Sequence, residues 1–206
     1  MEPRRIPLFP LELVLFPGTL LPLHIFEPRY RQMIGLCRER ELRFGVVLVK
    51  DDGTARTGCT AEIVEVAREY PDGRLDILTM GRLAFRILNV VEEKAFAEAD
   101  VEYLEDEPFL ETPPSASLAR LYERCHELAL GGPPDPPDSD SYDSFAYHVA
   151  GELPLDLAYK QSLLEMRNEM ERRQNLELAL GKWLVQYEQV VRTRRTAGGN
   201  GHRHVN

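Results

Sequence analysis

The stretch between Ile6 and Met33 constrains the fold more than any other part of the chain, because proline recurs in it every few residues. Each proline ring fixes φ at about −65° and removes a backbone donor, so a helix cannot run through these residues. The apolar residues between the prolines therefore predict short extended segments joined by turns. Pro17-Gly18 predicts a type II turn, in which glycine takes the positive φ, and Leu20 to Phe26 predict a strand.

A helix is predicted directly after this strand. Pro28 is suited to the first helical turn, where a backbone donor is not needed, and the Glu27 carboxylate would lie beside the positive end of the helix dipole. The apolar residues that follow have the spacing of one helix face, and they are Tyr30, Met33, Ile34 and Cys37.

Short segments of alternating apolar and polar residues predict further strands before residue 105. Several short strands with one early helix and few long loops favour a closed or half-closed antiparallel barrel. The predicted strands are Arg43–Lys50, Thr60–Tyr70, Arg74–Met80, Arg82–Val91 and Ala97–Tyr103.

The composition changes at Glu105–Pro114, an acidic linker that contains proline, and the pattern after it is helical. Ser117 is predicted to cap a helix that ends at Gly131. Asn168 and Glu171 have the spacing of a capping box at the start of a long helix.

The long helix is predicted to end near Arg194, and the tail after it has no periodicity and is predicted to be disordered. The chain is therefore predicted to be α+β, with a barrel domain over residues 1–107, a helical bundle over 115–194 and a disordered tail over 195–206.

Composition and charge exclude several classes of protein. The net charge of −9 argues against a general nucleic-acid binder. No stretch approaches the ~20 apolar residues of a membrane helix, and the interrupted run after Arg5 is unlike a signal peptide. The three cysteines, Cys37, Cys59 and Cys125, are too scattered for a disulfide framework or a zinc site, so we expect a cytoplasmic protein.

The run PLFPLELVLFPGTLLPLHIFEPRYRQMI resembles the opening of the Lon substrate-binding domain, the N-terminal region of Lon proteases. That domain also occurs as a stand-alone bacterial protein and within cereblon. The resemblance spans most of residues 1–105, and KQSLLEMRNEMERR is similar to the helical part that follows in the family. It implies a PUA-like β-barrel that recognises polypeptide. The later matching segments are Gly45-Val46-Val47, Gly58–Ile63, Asp72-Gly73-Arg74 and Gly81–Ile87.

The 206 residues contain no sequence like the ATPase or protease parts of the Lon family. Gly181-Lys182 is followed by Trp183 and lacks the upstream glycine of a phosphate-binding loop. We therefore expect a recognition or adaptor module that is not an enzyme and needs no cofactor. Its expected partners are unfolded or partner polypeptide and, by analogy with the family, a separate ATP-dependent protease.

Six residues are candidates for contact with a polypeptide: His24, Phe26, Arg29, Tyr30, Lys160 and Gln161. Each also has a structural alternative. His24 suits a strand histidine held by a carboxylate, and Arg29 suits an ion pair. Phe26 and Tyr30 suit the core, and the last two suit the surface of a helix.

Two other functions remain open. PUA-like barrels in other families bind RNA, although the negative charge opposes this. Cys59 or Cys125 would be the nucleophile of a small cysteine hydrolase. However, Cys125 and His126 are adjacent on a helix and point about 100° apart, so they form no dyad by themselves. His202 and His204 supply two metal ligands, which are too few for a site.

Overall fold

The computed structural model describes residues 4–51, 53–110, 112–134 and 144–199. These residues form a sheet and helices, which confirms the predicted α+β class. The elements in chain order are β1 (Arg4–Leu11), β2 (Leu20–Ile25), α1 (Pro28–Arg40), β3 (Phe44–Lys50), β4 (Gly53–Thr54), β5 (Thr57–Glu69), β6 (Leu75–Val91), β7 (Glu98–Leu104), α2 (Ala116–Leu130), α3 (Phe145–Glu152), α4 (Leu157–Glu165) and α5 (Glu169–Gly199).

Five of the strands pair in a ring. β1 pairs antiparallel with β7, β7 with β6, β6 with β5, and β5 with β3. β3 then pairs in parallel with β1, where Leu8 lies opposite Gly45. The prediction of a purely antiparallel arrangement is therefore wrong at this pair. The physical reason is that β2 and α1 lie between β1 and β3 in the sequence and supply the long crossover that a parallel pair requires.

The first helix forms as the sequence predicts. Helix α1 begins at Pro28, with Glu27 in the preceding cap position. The face predicted from the apolar spacing is the buried face of the helix, and it consists of Tyr30, Met33, Ile34 and Cys37.

Helix α2 begins two residues before the predicted position. The Oγ atom of Ser115, and not that of Ser117, accepts a hydrogen bond from the backbone N–H of Leu118 at 3.0 Å. The Ser115 hydroxyl also donates to Glu177 of α5 at 3.0 Å. This tertiary contact distinguishes Ser115 from Ser117, and no local rule reveals it. The helix ends at Gly131, whose φ of 87° confirms the predicted glycine cap.

Helix α5 confirms the predicted start and corrects the predicted end. The Asn168 side chain accepts hydrogen bonds from the N–H groups of Met170 and Glu171. The helix continues to Gly199, five residues beyond Arg194, because no proline or glycine interrupts it between Lys182 and Gly198. Residues 195–199 are therefore helical rather than a disordered tail, and residues 200–206, with both candidate histidines of the tail, lie outside the described residues.

The helices and the strands share the larger of two buried hydrophobic clusters, and the buried members of the smaller one are strand residues alone. The buried members of the larger cluster include Phe16 and Phe44 from the N-terminal part and Leu164, Leu176 and Leu180 from the helices. The structure therefore shows an α+β arrangement in which the helices also pack on the sheet, and it does not set the C-terminal helices apart as a bundle. The division at residues 107 and 115 stays a prediction.

A buried charged network joins the segment after β7 to the start of α5. Arg172 is fully buried and donates hydrogen bonds to Glu169, Asp106 and the hydroxyl of Tyr147. Arg173 donates to Glu169 at 2.7 Å and to the carbonyl of Thr112 at 2.7 Å. These contacts fix the linker against the helices.

In the described parts of the chain, no helix has the combination of length and apolar character that crossing a membrane requires.

Candidate functional site

A groove of about 570 Å³ lies between the sheet and the helices. Its volume falls within the ~300–1,000 Å³ typical of ligand pockets. The loop before β2, the start of β2 and one residue of β6 form one wall, and α3 and α4 form the other. The apolar lining includes Leu13, Leu15, Leu20, Leu21, Met80 and Leu157, and the ionisable lining groups are His148, Glu152 and Lys160.

The sheet side of the groove depends on the turn predicted from Pro17-Gly18. Gly18 has a φ of 78°, and the N–H of Thr19 donates to the carbonyl of Phe16 at 3.2 Å, which confirms the type II turn. The turn is attached to β6 at Gly81, which exchanges 2.9 Å hydrogen bonds with Gly18 and Thr19. A Cβ atom at Gly81 would lie 2.1 Å from the Phe16 carbonyl oxygen, so only glycine permits this approach.

The helix side of the groove depends on a close contact between α3 and the same turn. A Cβ atom at Gly151 would lie 2.9 Å from Cγ2 of Thr19. One turn earlier in α3, the ring of Tyr147 stacks on Phe16 at 5.2 Å between centroids. The narrow contact at Gly151 and the ring stack hold the two walls at a fixed separation.

Glu152 is held by a cluster of polar groups at the helix side of the groove. The hydroxyl of Tyr122 donates a hydrogen bond to its carboxylate. The Nε2 atoms of His148 and His126 lie 3.6 and 3.7 Å from the two carboxylate oxygens. Burial is the main cause that lowers the pKa of His148, and Glu152 opposes this shift. The carboxylate of Glu152 is therefore already occupied by partners from α2 and α3.

Lys160 lines the groove in a different state. Its side chain is half-buried, and burial lowers the pKa of its ammonium group. Among the described residues, no acceptor lies within hydrogen-bond or ion-pair distance of Nζ, whereas Glu152 has several partners. The ammonium group of Lys160 is thus partly desolvated, and it has no counter-charge among the described residues. This is an unfavourable state for an isolated charge.

His24 and Phe26 lie elsewhere, on and just after β2. The Nδ1 atom of His24 lies 2.5 Å from Oδ1 of Asp76, so the histidine is held by a carboxylate, as its structural alternative predicted. The ring of Phe26 stacks beside it at 5.9 Å and is 59% exposed. Phe26 is therefore not a core residue. His24 and Phe26 form an exposed aromatic patch together with Tyr70. The Tyr70 hydroxyl donates to Asp76 at 2.7 Å.

Arg29 and Tyr30 take structural positions at the start of α1. The ring of Tyr30 is 8% exposed and packs edge-on against Phe9 at 4.3 Å between centroids. Arg29 pairs with Glu27 at 2.9 Å, and its guanidinium lies 4.5 Å from the centre of the Tyr30 ring. These contacts agree with the structural alternatives for both residues.

Gln161 follows Lys160 on α4 but does not line the same groove. It is 4% exposed, and its amide donates to the carbonyl of Thr57 on β5 and to Glu165, both at 3.0 Å. Gln161 therefore attaches α4 to the sheet. The structure does not bring the six candidate residues together, and a binding role for them stays a prediction.

All three thiols are buried, and burial raises their pKa values. The pKa is about 12 for Cys37 and Cys59 and about 11 for Cys125. A thiol in this state is mostly protonated at neutral pH and is a poor nucleophile. The cysteine hydrolase is therefore disfavoured. Among the described residues, no group of three or more His, Cys, Asp or Glu side chains has a metal-binding arrangement.

Most of the residues that line the groove were not identified from the sequence. Of the six candidate residues, Lys160 alone lines it. Two glycines were the available signals. Gly81 was predicted to separate the strands Arg74–Met80 and Arg82–Val91, but the structure joins them through Gly81 in β6. Gly151 lies in an apolar helical stretch. A glycine inside a strand or a helix often marks a close approach of another backbone or side chain. The partner of each, Phe16 or Thr19, is remote in sequence and is found only in the fold.

Comparison with known proteins gives a match over most of the chain. Residues 5–180 match the family described as the ATP-dependent protease La (LON) substrate-binding domain. The chain is 27% identical to the Lon protease of Escherichia coli strain K12 over 218 aligned residues, which cover 94% of this chain and 28% of that protein. It is 33% identical to the Lon protease of Parabacteroides distasonis over 110 residues, which cover 49% of this chain and 13% of that protein. The chain thus spans less than a third of the length of these relatives.

Two solved structures share the fold. The Lon N-terminal domain protein from Xanthomonas campestris superposes with a TM-score of 0.66 at 25% identity, covering 84% of this chain and 96% of that one. The N-terminal domain of the Mycobacterium avium complex Lon protease superposes with a TM-score of 0.58 at 16% identity, covering 86% and 98%. The second likeness is evidence of the fold alone.

Proposed function

Because the chain belongs to the family of ATP-dependent protease La (LON) substrate-binding domains, we propose that it recognises exposed polypeptide segments without catalysing a reaction on them. This is the function expected from the sequence, and it does not include the proteolytic activity of the longer relatives.

The groove between the Phe16–Thr19 turn and helices α3 and α4 is the observation that carries this proposal. Its walls are mostly aliphatic, and its few polar groups are concentrated on the helix side. Such a combination is typical of sites that take an apolar ligand and orient it through a small number of polar contacts. Of the six candidate residues, we retain Lys160 as a contact in this groove.

The edge of β2 is a weaker place for a peptide. β2 pairs with β6, and no second partner strand occurs among the described residues. A peptide that adds to a sheet edge needs an unbroken row of donors and acceptors. Pro22 lies in the middle of β2 and has no N–H group, which interrupts that row.

We further propose that the ring of strands is the PUA-like barrel expected from the resemblance.

We also propose that the protein is a cytoplasmic adaptor for a separate ATP-dependent protease. This proposal is supported by the relatives, which are Lon proteases. RNA binding gains no support, since a net charge of −9 opposes contact with phosphates.

The test is a binding titration with a reduced, carboxymethylated and fluorescently labelled unfolded protein, followed by anisotropy. We expect saturable binding in the micromolar range. Leu157→Arg should weaken it, because the variant replaces an apolar lining residue with a bulky charged side chain. The matched control is Leu178→Arg on α5, where Leu178 is 66% exposed and does not line the groove. Absence of saturable binding at high micromolar concentrations, or equal loss in both variants, would contradict the proposal.

A further inference from the structure

Resting on the proposed function, we infer that the groove selects an apolar segment that carries one Asp or Glu side chain, whose carboxylate pairs with Nζ of Lys160. Three properties of the protein point to this occupant: the charge of the groove, the state of its backbone donors and the charge of the whole chain.

The free charge of the groove is positive. Lys160 has no acceptor among the described residues, while Glu152 accepts a hydrogen bond from Tyr122 and is approached by His126 and His148. A carboxylate placed against Lys160 would neutralise a charge that the apolar surroundings otherwise leave unpaired, and it would do so where water competes little. The lowered pKa of Lys160 reports the same desolvation and would rise when the pair forms.

The carboxylate belongs to a side chain rather than to a peptide C-terminus. Capture of a terminal carboxylate uses a nest of free backbone N–H groups. At the turn that lines the groove, the N–H of Gly18 donates to Gly81, that of Thr19 donates to the Phe16 carbonyl, and that of Phe16 donates to the hydroxyl of Thr19. These donors are already in use. A single ammonium on a flexible stem suits a point contact with a side-chain carboxylate.

The segment carries one carboxylate rather than an acidic run. The net charge of −9 repels strongly acidic partners, and the second charge of the groove is the carboxylate of Glu152. Apart from His148, Thr19 and two glycines, the remaining lining is apolar. A second carboxylate in the segment would therefore lie in the apolar part of the groove or near Glu152, and both positions are unfavourable.

The experiment compares three nonapeptides by isothermal titration calorimetry with the full chain. The first is blocked at both ends and has a central glutamate between pairs of leucine and valine. The second replaces the glutamate with glutamine, and the third is the glutamine peptide with a free C-terminal carboxylate. We expect the glutamate peptide to bind about tenfold more tightly than the other two, the factor expected for one charge-assisted hydrogen bond.

The variant Lys160→Met keeps the aliphatic stem and removes the charge, and it should abolish the difference between the peptides. Lys182→Met, at an exposed position of α5, is the matched control and should keep it. Thermal unfolding of both variants verifies that they fold. Equal affinity for the glutamate and glutamine peptides, or preference for the free C-terminus, would overturn this inference and leave the proposed function standing. Failure of all three peptides and of the unfolded protein would overturn both.

Discussion

Arg172 donates a hydrogen bond from Nε to Oε2 of Glu169 at 3.0 Å, and both side chains are fully buried. The same carboxylate accepts hydrogen bonds from the hydroxyl of Ser144, the backbone N–H of Ala146 and Nε of Arg173. One buried carboxylate thus fixes the start of α5 and the cap of α3, the helix that forms one wall of the groove.

We expect Glu169→Gln to destabilise the protein by about 3–5 kcal/mol, because Arg173 loses its carboxylate partner and Arg172 retains only Asp106 as a counter-charge. The control is Glu171→Gln, two residues further along the same helix and exposed, for which we expect a change within about 0.5 kcal/mol. Urea denaturation of both variants measures the difference. Equal stability of the two would show that the buried network does not stabilise the fold.

A second prediction distinguishes Tyr30, a buried candidate in α1, from Phe26, an exposed candidate just after β2. Tyr30→Ala removes a core ring and should cost about 3 kcal/mol of unfolding free energy, whereas Phe26→Ala removes an exposed ring and should cost little. Phe26→Ala is therefore the variant whose effect on binding can be interpreted directly. Circular dichroism during thermal unfolding measures both. Comparable losses would show that the exposed ring contributes to the fold.

The elements that were predicted correctly follow local rules. The turn at Pro17-Gly18, the strand after it and the start of α1 at Pro28 depend on the backbone limits of proline and glycine, which act within a few residues. Asn168 at the start of α5 is a further local case. For these elements the sequence carries the physical cause.

The features that were missed depend on partners far apart in the chain. Ser115 and Ser117 are equal as caps until Glu177 distinguishes them, and Glu169 is, from its own segment alone, an ordinary acidic residue in the first turn of a helix. The parallel pairing of β1 with β3 and the identity of the residues that line the groove likewise follow from contacts across the fold. A pattern within one segment cannot reveal them.

The contact between α3 and the turn allows a prediction about Gly151. In a helix, Gly→Ala usually stabilises by about 0.5–1 kcal/mol, and we expect this at Gly35, where a Cβ atom would meet no other atom within 4 Å. At Gly151 the new methyl would press on Thr19, so we expect a destabilisation of about 1–3 kcal/mol.

The double variant Gly151→Ala, Thr19→Ser removes the threonine methyl that the new Cβ atom would meet and keeps the hydroxyl that bonds to Phe16. We expect it to recover most of the lost stability. A double-mutant cycle in urea measures the coupling. Additive effects of the two changes would show that the helix and the turn are not in contact at this point.

The cluster around Glu152 predicts how stability depends on pH. Burial lowers the pKa of His148 below its ordinary value of 6.5, so the folded protein binds a proton there less readily than the unfolded chain does. The stabilisation from the neutral imidazole is therefore fully present above about pH 6.5 and is lost as the pH falls through the lowered pKa.

His148→Gln, which cannot titrate and can place an amide nitrogen near the Nε2 position, should lose less stability than the wild type between about pH 7.5 and about pH 5.5. Glu62 and Asp76 have lowered pKa values, chiefly because of side-chain hydrogen bonds with Arg82 and His24 respectively. These carboxylates titrate below this window and so do not account for the difference. Urea denaturation of both proteins at the two pH values tests the prediction, and an equal loss in each would show that His148 does not carry this part of the pH dependence.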